Sequence, residues 1–157
     1  MASNDILARL RHLIGVLLPA TLLACADPCA TPEAEEILAR AAAEQGAVRT
    51  ESGLVFRLLQ PGYGPRPEEG NRVQVHYEGR LADGAVFDSS IRRGHPADFN
   101  LTDVIPGWQE GLQMLEGGGK AKLTIPARLA YGRKGKRGKV PPCAVLVFEV
   151  ELLGIRD

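Results

Sequence analysis

We predict an α+β fold in which a curved antiparallel β-sheet wraps on one short helix, preceded by a short N-terminal helix and a signal segment. Several segments alternate apolar and polar residues with a period of two, which is typical of half-buried strands. The 18 glycines and 11 prolines among 157 residues indicate short elements joined by many turns. A chain of this length suits one ordinary domain and is short for two.

The composition excludes several classes of protein. Hydrophobic residues make up 45% of the chain and charged residues 24%, which are globular proportions and argue against wholesale disorder, a collagen-like repeat or a multi-span membrane protein. Nineteen basic residues balance nineteen acidic ones, so no overall field draws the protein to nucleic acid, and we expect no nucleic-acid partner.

The N-terminal residues have the pattern of a secretory signal. Arg9, Arg11 and His12 precede an apolar run over residues 13–24, which is shorter than the ~20 apolar residues that cross a bilayer. We expect residues 1–25 to be removed and the protein to be extracytoplasmic, in the periplasm or anchored to a membrane.

Two cleavage sites overlap at the end of this segment. Residues 22–25 (LLAC) resemble a lipobox, whose cysteine would be lipidated, and residues 24–26 (ACA) fit ordinary signal cleavage. We favour the lipobox, with Cys25 as the lipid site and the membrane surface as a partner through that anchor.

A short helix is predicted over residues 32–45. Thr31 is a good N-cap, Pro32 suits the first helical position, and Gly46 follows the last turn. Its apolar face is thin, so we interpret residues 26–47 as a linker with a short helix ahead of the main domain, residues 48–157.

Four strands and a second helix follow from the alternation. Strands are predicted over residues 54–59, 73–78, 121–125 and 144–153. Because the last is apolar on both sides in its first half, we expect it to be a central strand. A helix is predicted over residues 106–115, since Trp108, Leu112 and Leu115 share one face.

The cysteines and histidines give little sign of a site. Cys29 and Cys143 are far apart in the sequence, and although export permits a bridge, we expect free thiols. No C-x-x-C motif occurs and the histidines are scattered, so we expect no metal and no cofactor.

Five ordered motifs carry a family resemblance. They are residues 75–79 (VHYEG), 83–90 (DGAVFDSS), 104–108 (VIPGW), 130–132 (AYG) and 141–152 (PPCAVLVFEVEL). In order and spacing they resemble the FKBP-type peptidyl-prolyl cis-trans isomerases, and residues 50–54 look like the lead-in of exported bacterial, Mip-like and FkpA-like members. Those members carry a long helical dimerisation region that this sequence lacks, so we expect a monomer.

The resemblance implies an apolar pocket for proline and an isomerase that assists the folding of exported proteins. The implied catalytic residues are Tyr77, Phe87, Asp88, Ile105, Trp108, Tyr131 and Phe148. The implied substrate-binding residues are Val104, Ala97, Phe99 and Arg93. Trp108 would form the floor, the Ile105 amide would bind a substrate carbonyl, Asp88 and the Tyr131 hydroxyl would supply polar contacts, and Arg93 would orient Asp88. Proline-containing unfolded or exported polypeptides are the implied partners, with macrolide-type inhibitors as a further ligand class.

Some alternatives stay open. Asp88 has a second interpretation as a cap for the turn at residues 89–90. Ala97 stands where many eukaryotic members have a phenylalanine wall, which predicts a wider cleft and leaves Phe99 as a candidate core residue. The protein has a second interpretation as a binding module or chaperone that uses the same cleft without turnover.

Residues 133–139, here called the basic flap, hold five cations and two glycines. The glycines favour a mobile loop. The segment has two interpretations. It is either a charged turn that is simply solvated, or a surface that attracts acidic unfolded segments or anionic headgroups.

Overall fold

A seven-stranded antiparallel sheet forms the body of the protein. The computed structural model describes residues 27–156, so the predicted signal segment and Cys25 lie outside the described residues. The strands are β1 (Ala47–Arg49), β2 (Val55–Gln60), β3 (Arg72–Leu81), β4 (Val86–Ser89), β5 (Ala97–Asn100), β6 (Lys120–Ile125) and β7 (Leu146–Arg156). The helices are α1 (Pro32–Ala42), α2 (Ser90–Arg93) and α3 (Pro106–Gln113), with short 3-10 turns at Leu101–Asp103, Ala127–Leu129 and Gly132–Lys134.

The strand order is β1-β2-β6-β7-β3-β4, and β5 pairs with the first half of β3. The central position predicted for the last strand is confirmed, because β7 pairs with β6 on one side and β3 on the other. Leu146, Phe148, Val150 and Leu152 alternate inward along β7 and are at most 4% exposed, as the period of two predicts.

The main core lies between one face of the sheet and α3. Trp108 and Leu112 of α3 are buried against Leu123 and Ile125 of β6. A Cβ at Gly107 would lie 2.5 Å from the Ile125 side chain, and one at Gly111 would lie 2.7 Å from Leu123. The helix therefore sits this close to the sheet because glycines occupy the contact positions.

The opposite face of the sheet carries a second, smaller core. Leu38 and Ala41 of α1 pack against Val55 and Val145. The predicted cap is present, since the Ala34 amide donates to Thr31 Oγ1 at 3.1 Å. Val55 is therefore buried although it alternates with Phe56 of the main core, and α1 is a packed layer of the fold as well as a connection.

The expectation of free thiols is wrong. Cys29 and Cys143 form a disulfide with their Cα atoms 4.9 Å apart. The bridge ties the segment before α1 to the loop before β7. Sequence separation gave no guide, because α1 folds back over the sheet and brings two distant segments together. Among residues 27–156, no helix has the length and apolarity needed to cross a membrane.

Candidate functional site

One hollow of about 320 Å³ is lined by residues of α3, of the four strands β3, β4, β5 and β7, and of the segments at 103–105 and 131–136. Its wall consists of Tyr77, Phe87, Asp88, Phe99, Asp103, Val104, Ile105, Trp108, Tyr131, Lys136 and Phe148. A second hollow, of about 300 Å³, lies between α1 and the loop at 141–145 and has no aromatic side chain in its lining. The first is the better ligand site, because aromatic walls with few polar groups are typical of small apolar pockets.

The indole of Trp108 is held in place by three aromatic rings. Its ring centroid lies 5.1 Å from that of Tyr77, 5.7 Å from Phe99 and 5.3 Å from Phe148, all close to edge-to-face. Such packing fixes a ring more firmly than burial alone. The indole is therefore a rigid part of the wall, and it is only 4% exposed.

The Trp108 indole nitrogen is a donor without an acceptor. Among the buried side-chain nitrogen and oxygen atoms of residues 27–156, only Trp108 Nε1 lacks a hydrogen-bond partner. A buried polar atom without a partner costs free energy unless a ligand or water satisfies it. The amide of Ile105, another residue that lines the hollow, is also available as a donor, because it donates no hydrogen bond within the described residues.

A hydrogen-bonded triad occupies the rim of the hollow. The Tyr77 hydroxyl donates to Asp88 Oδ2 at 2.9 Å, and Arg93 donates to the same hydroxyl at 2.9 Å and to Asp88 Oδ1. The Arg93 guanidinium also lies 5.5 Å from the centroid of the Tyr77 ring. Both carboxylate oxygens of Asp88 therefore have partners inside the protein.

The triad sets the charges at the rim. Burial alone would raise the pKa of Asp88, but the hydrogen bonds from Arg93 and Tyr77 outweigh it and hold that pKa below its usual value. Burial is the main reason that the pKa of Tyr77 is raised. At neutral pH Asp88 is a carboxylate paired with Arg93 and Tyr77 is a neutral hydroxyl.

The turn after β4 is anchored by serines. The Arg92 amide donates to Ser89 Oγ at 3.2 Å, so Ser89, and not Asp88, caps α2. Ser90 is fully buried and its Oγ accepts from the Tyr77 amide at 2.8 Å. These bonds fix β4 against β3 and leave Asp88 free to face the hollow.

Most of the predicted site residues meet in this hollow. All seven predicted catalytic residues line it, with Val104 and Phe99. Phe99 lines the hollow and also packs against the main core, whereas Ala97 is not among the lining residues. Arg93 is not among the lining residues, but it donates a hydrogen bond to Asp88, which is. Asp103 and Lys136 also line the hollow, although their side chains were not predicted there, and the bond from Tyr77 to Asp88 was not predicted either.

Comparison with known proteins identifies the family. The sequence profile described as FKBP-type peptidyl-prolyl cis-trans isomerase matches residues 64–153. The FKBP-type 22 kDa peptidyl-prolyl cis-trans isomerase of Escherichia coli K12 is 50% identical over 123 residues, which cover 78% of this chain and 60% of the relative. FkpA of Aeromonas hydrophila is 50% identical over 121 residues, which cover 77% of this chain and 45% of FkpA. The chain thus spans only about half the length of these curated relatives.

Solved structures agree with the sequence relatives. The crystal structure of FkpA from Escherichia coli superposes with a TM-score of 0.77 at 44% identity, covering 79% of this chain and 58% of that one. A peptidyl-prolyl cis-trans isomerase from Pseudomonas syringae pv. tomato gives a TM-score of 0.74 at 38% identity, covering 80% of this chain and 92% of that one. On this evidence, the chain belongs to the family of FKBP-type peptidyl-prolyl cis-trans isomerases.

Proposed function

We propose that this chain catalyses cis-trans isomerisation of X-Pro peptide bonds, with the proline ring in the hollow against the Trp108 indole. The observation that carries the proposal is the fixed, buried indole in the wall of an open apolar hollow. Family membership supports it, and the comparisons favour an enzyme over a binding module without turnover.

The reaction needs no nucleophile. Its barrier of about 18–20 kcal/mol is the loss of amide resonance as the C–N bond rotates. The planar amide is more dipolar than the twisted one, so transfer from water to an apolar wall favours the twisted form. The aromatic wall supplies that environment.

Hydrogen-bond donors hold the substrate while the bond rotates. The Ile105 amide is available to a substrate carbonyl, and the Tyr131 hydroxyl is a further donor at the wall. Asp88, already bonded to Arg93 and Tyr77, acts mainly by fixing the Tyr77 wall. A macrolide-type inhibitor would occupy the same hollow as proline.

The test is a direct, protease-free isomerisation assay on an X-Pro peptide. Trp108→Ala is expected to lose at least about tenfold in kcat/KM, because the indole contacts are lost. The matched control, Tyr63→Ala, removes an aromatic side chain that is 93% exposed and is expected to keep wild-type activity. Equal activity of wild type and Trp108→Ala would refute the proposed site.

A second variant, with a smaller change, keeps the proposal testable if Trp108→Ala does not fold. Large-to-small changes at buried aromatic residues cost about 3–5 kcal/mol. Tyr131→Phe removes one hydroxyl of a half-buried residue, and a folded Tyr131→Phe protein is expected to lose activity several-fold. Full activity would remove that hydroxyl from the mechanism.

We also propose that the protein works outside the cytoplasm as a monomer and assists the folding of exported polypeptides. The signal pattern of residues 1–25 supports export, and the Cys29–Cys143 disulfide suits an oxidising compartment. Cys25 is the proposed lipid site. Mass spectrometry of the mature N-terminus tests it, since a free amine at Asp27 excludes the lipobox, and light scattering tests the monomer.

A further inference from the structure

The basic flap carries charge that the rest of the described protein does not neutralise. Within residues 27–156, every lysine and arginine outside the flap except Arg72 forms an ion pair. None of the five flap cations does, namely Arg133, Lys134, Lys136, Arg137 and Lys139. All five are exposed. The sequence also has no aspartate or glutamate between Glu116 and Glu149, so no acidic residue nearby in the chain offsets them.

The flap is closed by its own backbone. The Lys136 amide donates to the Val140 carbonyl at 2.8 Å, and the Val140 amide donates back to Lys136 at 2.8 Å. The Val140 side chain is 5% exposed and belongs to the main core. The flap is thus a hydrogen-bonded turn, anchored at one end, that holds its charges outward.

This charge lies at the edge of the hollow. Lys136 is one of the lining residues, and its Nζ lies 5.3 Å from the centroid of the Tyr131 ring. Burial raises the pKa of Asp88, and the hydrogen bonds from Arg93 and Tyr77 and the charge of Arg93 lower it; the positive charge of Lys139 adds a smaller lowering effect. Because Asp88 is already paired with Arg93, it leaves the flap cations available to a ligand.

We propose that the basic flap makes the site selective for X-Pro segments that carry acidic residues within a few positions of the proline. This inference rests on the proposed isomerase function and names its preferred substrates. An extended peptide advances about 3.3–3.6 Å per residue, so residues two to four positions from a bound proline lie within about 7–14 Å of the hollow. Lysine and arginine side chains at its edge reach that distance.

The preference is expected to depend on the direction of the chain. Asp103 is also among the lining residues, and Asn100 donates a hydrogen bond to its carboxylate at 2.9 Å. An acidic substrate residue on the Asp103 side would meet a like charge, whereas one on the flap side would meet cations. Acidic residues on one side of the proline should therefore raise kcat/KM more than acidic residues on the other side.

A peptide ligand suits this charge better than a broad anionic surface does. The whole chain is neutral, with nineteen residues of each sign, so a membrane or nucleic acid meets little long-range field. The flap charge is local and adjoins the hollow that takes the proline. Attraction at this place raises the rate of encounter and lowers KM, while kcat for the bound X-Pro bond stays the same.

The test measures isomerisation by NMR exchange spectroscopy on matched peptides. Each pair compares a peptide that carries two glutamates with the same peptide carrying two glutamines. In the first pair these residues lie two and three positions before the proline, and in the second pair they lie two and three positions after it. Wild type at low salt is expected to favour glutamate by about tenfold in kcat/KM for one of the pairs. That preference should collapse in about 0.5 M salt, because screening shortens the reach of exposed charges.

The variant Arg133→Gln, Lys134→Gln, Arg137→Gln removes three flap charges outside the lining of the hollow. It is expected to reduce the preference to about twofold and to leave the glutamine peptides unaffected. The control variant Arg40→Gln, Arg66→Gln, Arg72→Gln removes the same charge elsewhere and is expected to keep the full preference.

The outcomes separate this inference from the proposed function. Absence of turnover on every peptide would refute the isomerase itself. Turnover of glutamine and glutamate peptides at equal rates would refute only the flap selectivity. Binding to phosphatidylglycerol vesicles that the flap variant abolishes, with equal turnover of all peptides, would also overturn it and assign the flap to a membrane surface.

Discussion

The Tyr77 hydroxyl donates a hydrogen bond of 2.9 Å to Asp88 Oδ2 at the rim of the hollow. Arg93 bonds to both groups, so one side of the aromatic wall is tied to a charged pair. The Tyr77 ring also packs edge-to-face on the Trp108 indole. A change in the triad is therefore transmitted to the wall through one side chain.

Tyr77→Phe should separate the hydroxyl from the ring. We expect a loss of about 0.5–1.5 kcal/mol in the free energy of unfolding, since one hydrogen bond disappears and the ring stays. The activity should fall several-fold, because Asp88 loses one of its two donors. Urea unfolding and the isomerase assay measure the two effects. Tyr63→Phe, at an exposed position, is the control, and wild-type activity in Tyr77→Phe would contradict a positioning role.

Acid should destabilise the protein through Asp88. Its pKa is lowered in the folded state, so its contribution is fully present above the unfolded pKa of about 3.9. The contribution is lost as the pH falls through the lower, folded pKa. Fluorescence of the single tryptophan, Trp108, during urea unfolding at several pH values measures it. In Asp88→Asn this part of the acid destabilisation should disappear. If the free energy of unfolding of Asp88→Asn fell with acid as steeply as that of the wild type, Asp88 would not be the group responsible.

Gly79→Ala should displace two aromatic rings that line the hollow. A Cβ at Gly79 would lie 2.6 Å from Phe148 Cε1 and 2.8 Å from Phe87 Cζ, which is closer than carbon atoms approach. We expect a loss of about 1–3 kcal/mol in stability from overpacking and reduced activity, because both rings line the hollow. Gly154→Ala, which meets no atom within 4 Å, is the matched control. Equal behaviour of the two variants would show that the rings adjust freely.

The disulfide should stabilise the fold more than it affects turnover. Cys29→Ser is expected to lower the free energy of unfolding by about 2–4 kcal/mol, since the bridge restricts the unfolded chain. The hollow lies on the other face of the sheet from α1, so kcat/KM of the folded variant should stay within about twofold. Thermal unfolding and the isomerase assay measure these effects. A large drop in kcat/KM with unchanged stability would show that the bridge positions the site.

Much of the sheet and the wall could be predicted from the sequence. Alternation along β3 and β7 correctly placed Val73, Tyr77 and Phe148 inward, because a half-buried strand needs that period. The same alternation along β2 predicted that Leu58 points inward with Phe56, but the Leu58 side chain is 48% exposed. Near the end of β2 no layer formed by residues 27–156 covers that side chain, and periodicity does not show where a covering layer stops.

The remaining features depend on tertiary packing. Ala97 and Phe99 lie two residues apart on β5, so they share a face. The motif pointed to Ala97, but the longer Phe99 side chain reaches the Trp108 indole, at 5.7 Å between ring centroids. Likewise, the bond from Tyr77 to Asp88 crosses from β3 to β4, and a single sequence carries no signal for it.

The bridge between Cys29 and Cys143 closes a covalent ring that contains the basic flap. Trypsin cuts after lysine and arginine, and the flap offers five exposed sites for it. A single cut there opens the ring without releasing either piece, because one cysteine lies on each side of the cut. The nicked protein should run as one band until a reductant is added, and then as two. Its smaller fragment would carry β7, the strand between β6 and β3, so the disulfide keeps this central strand covalently attached to the rest of the sheet after the cut.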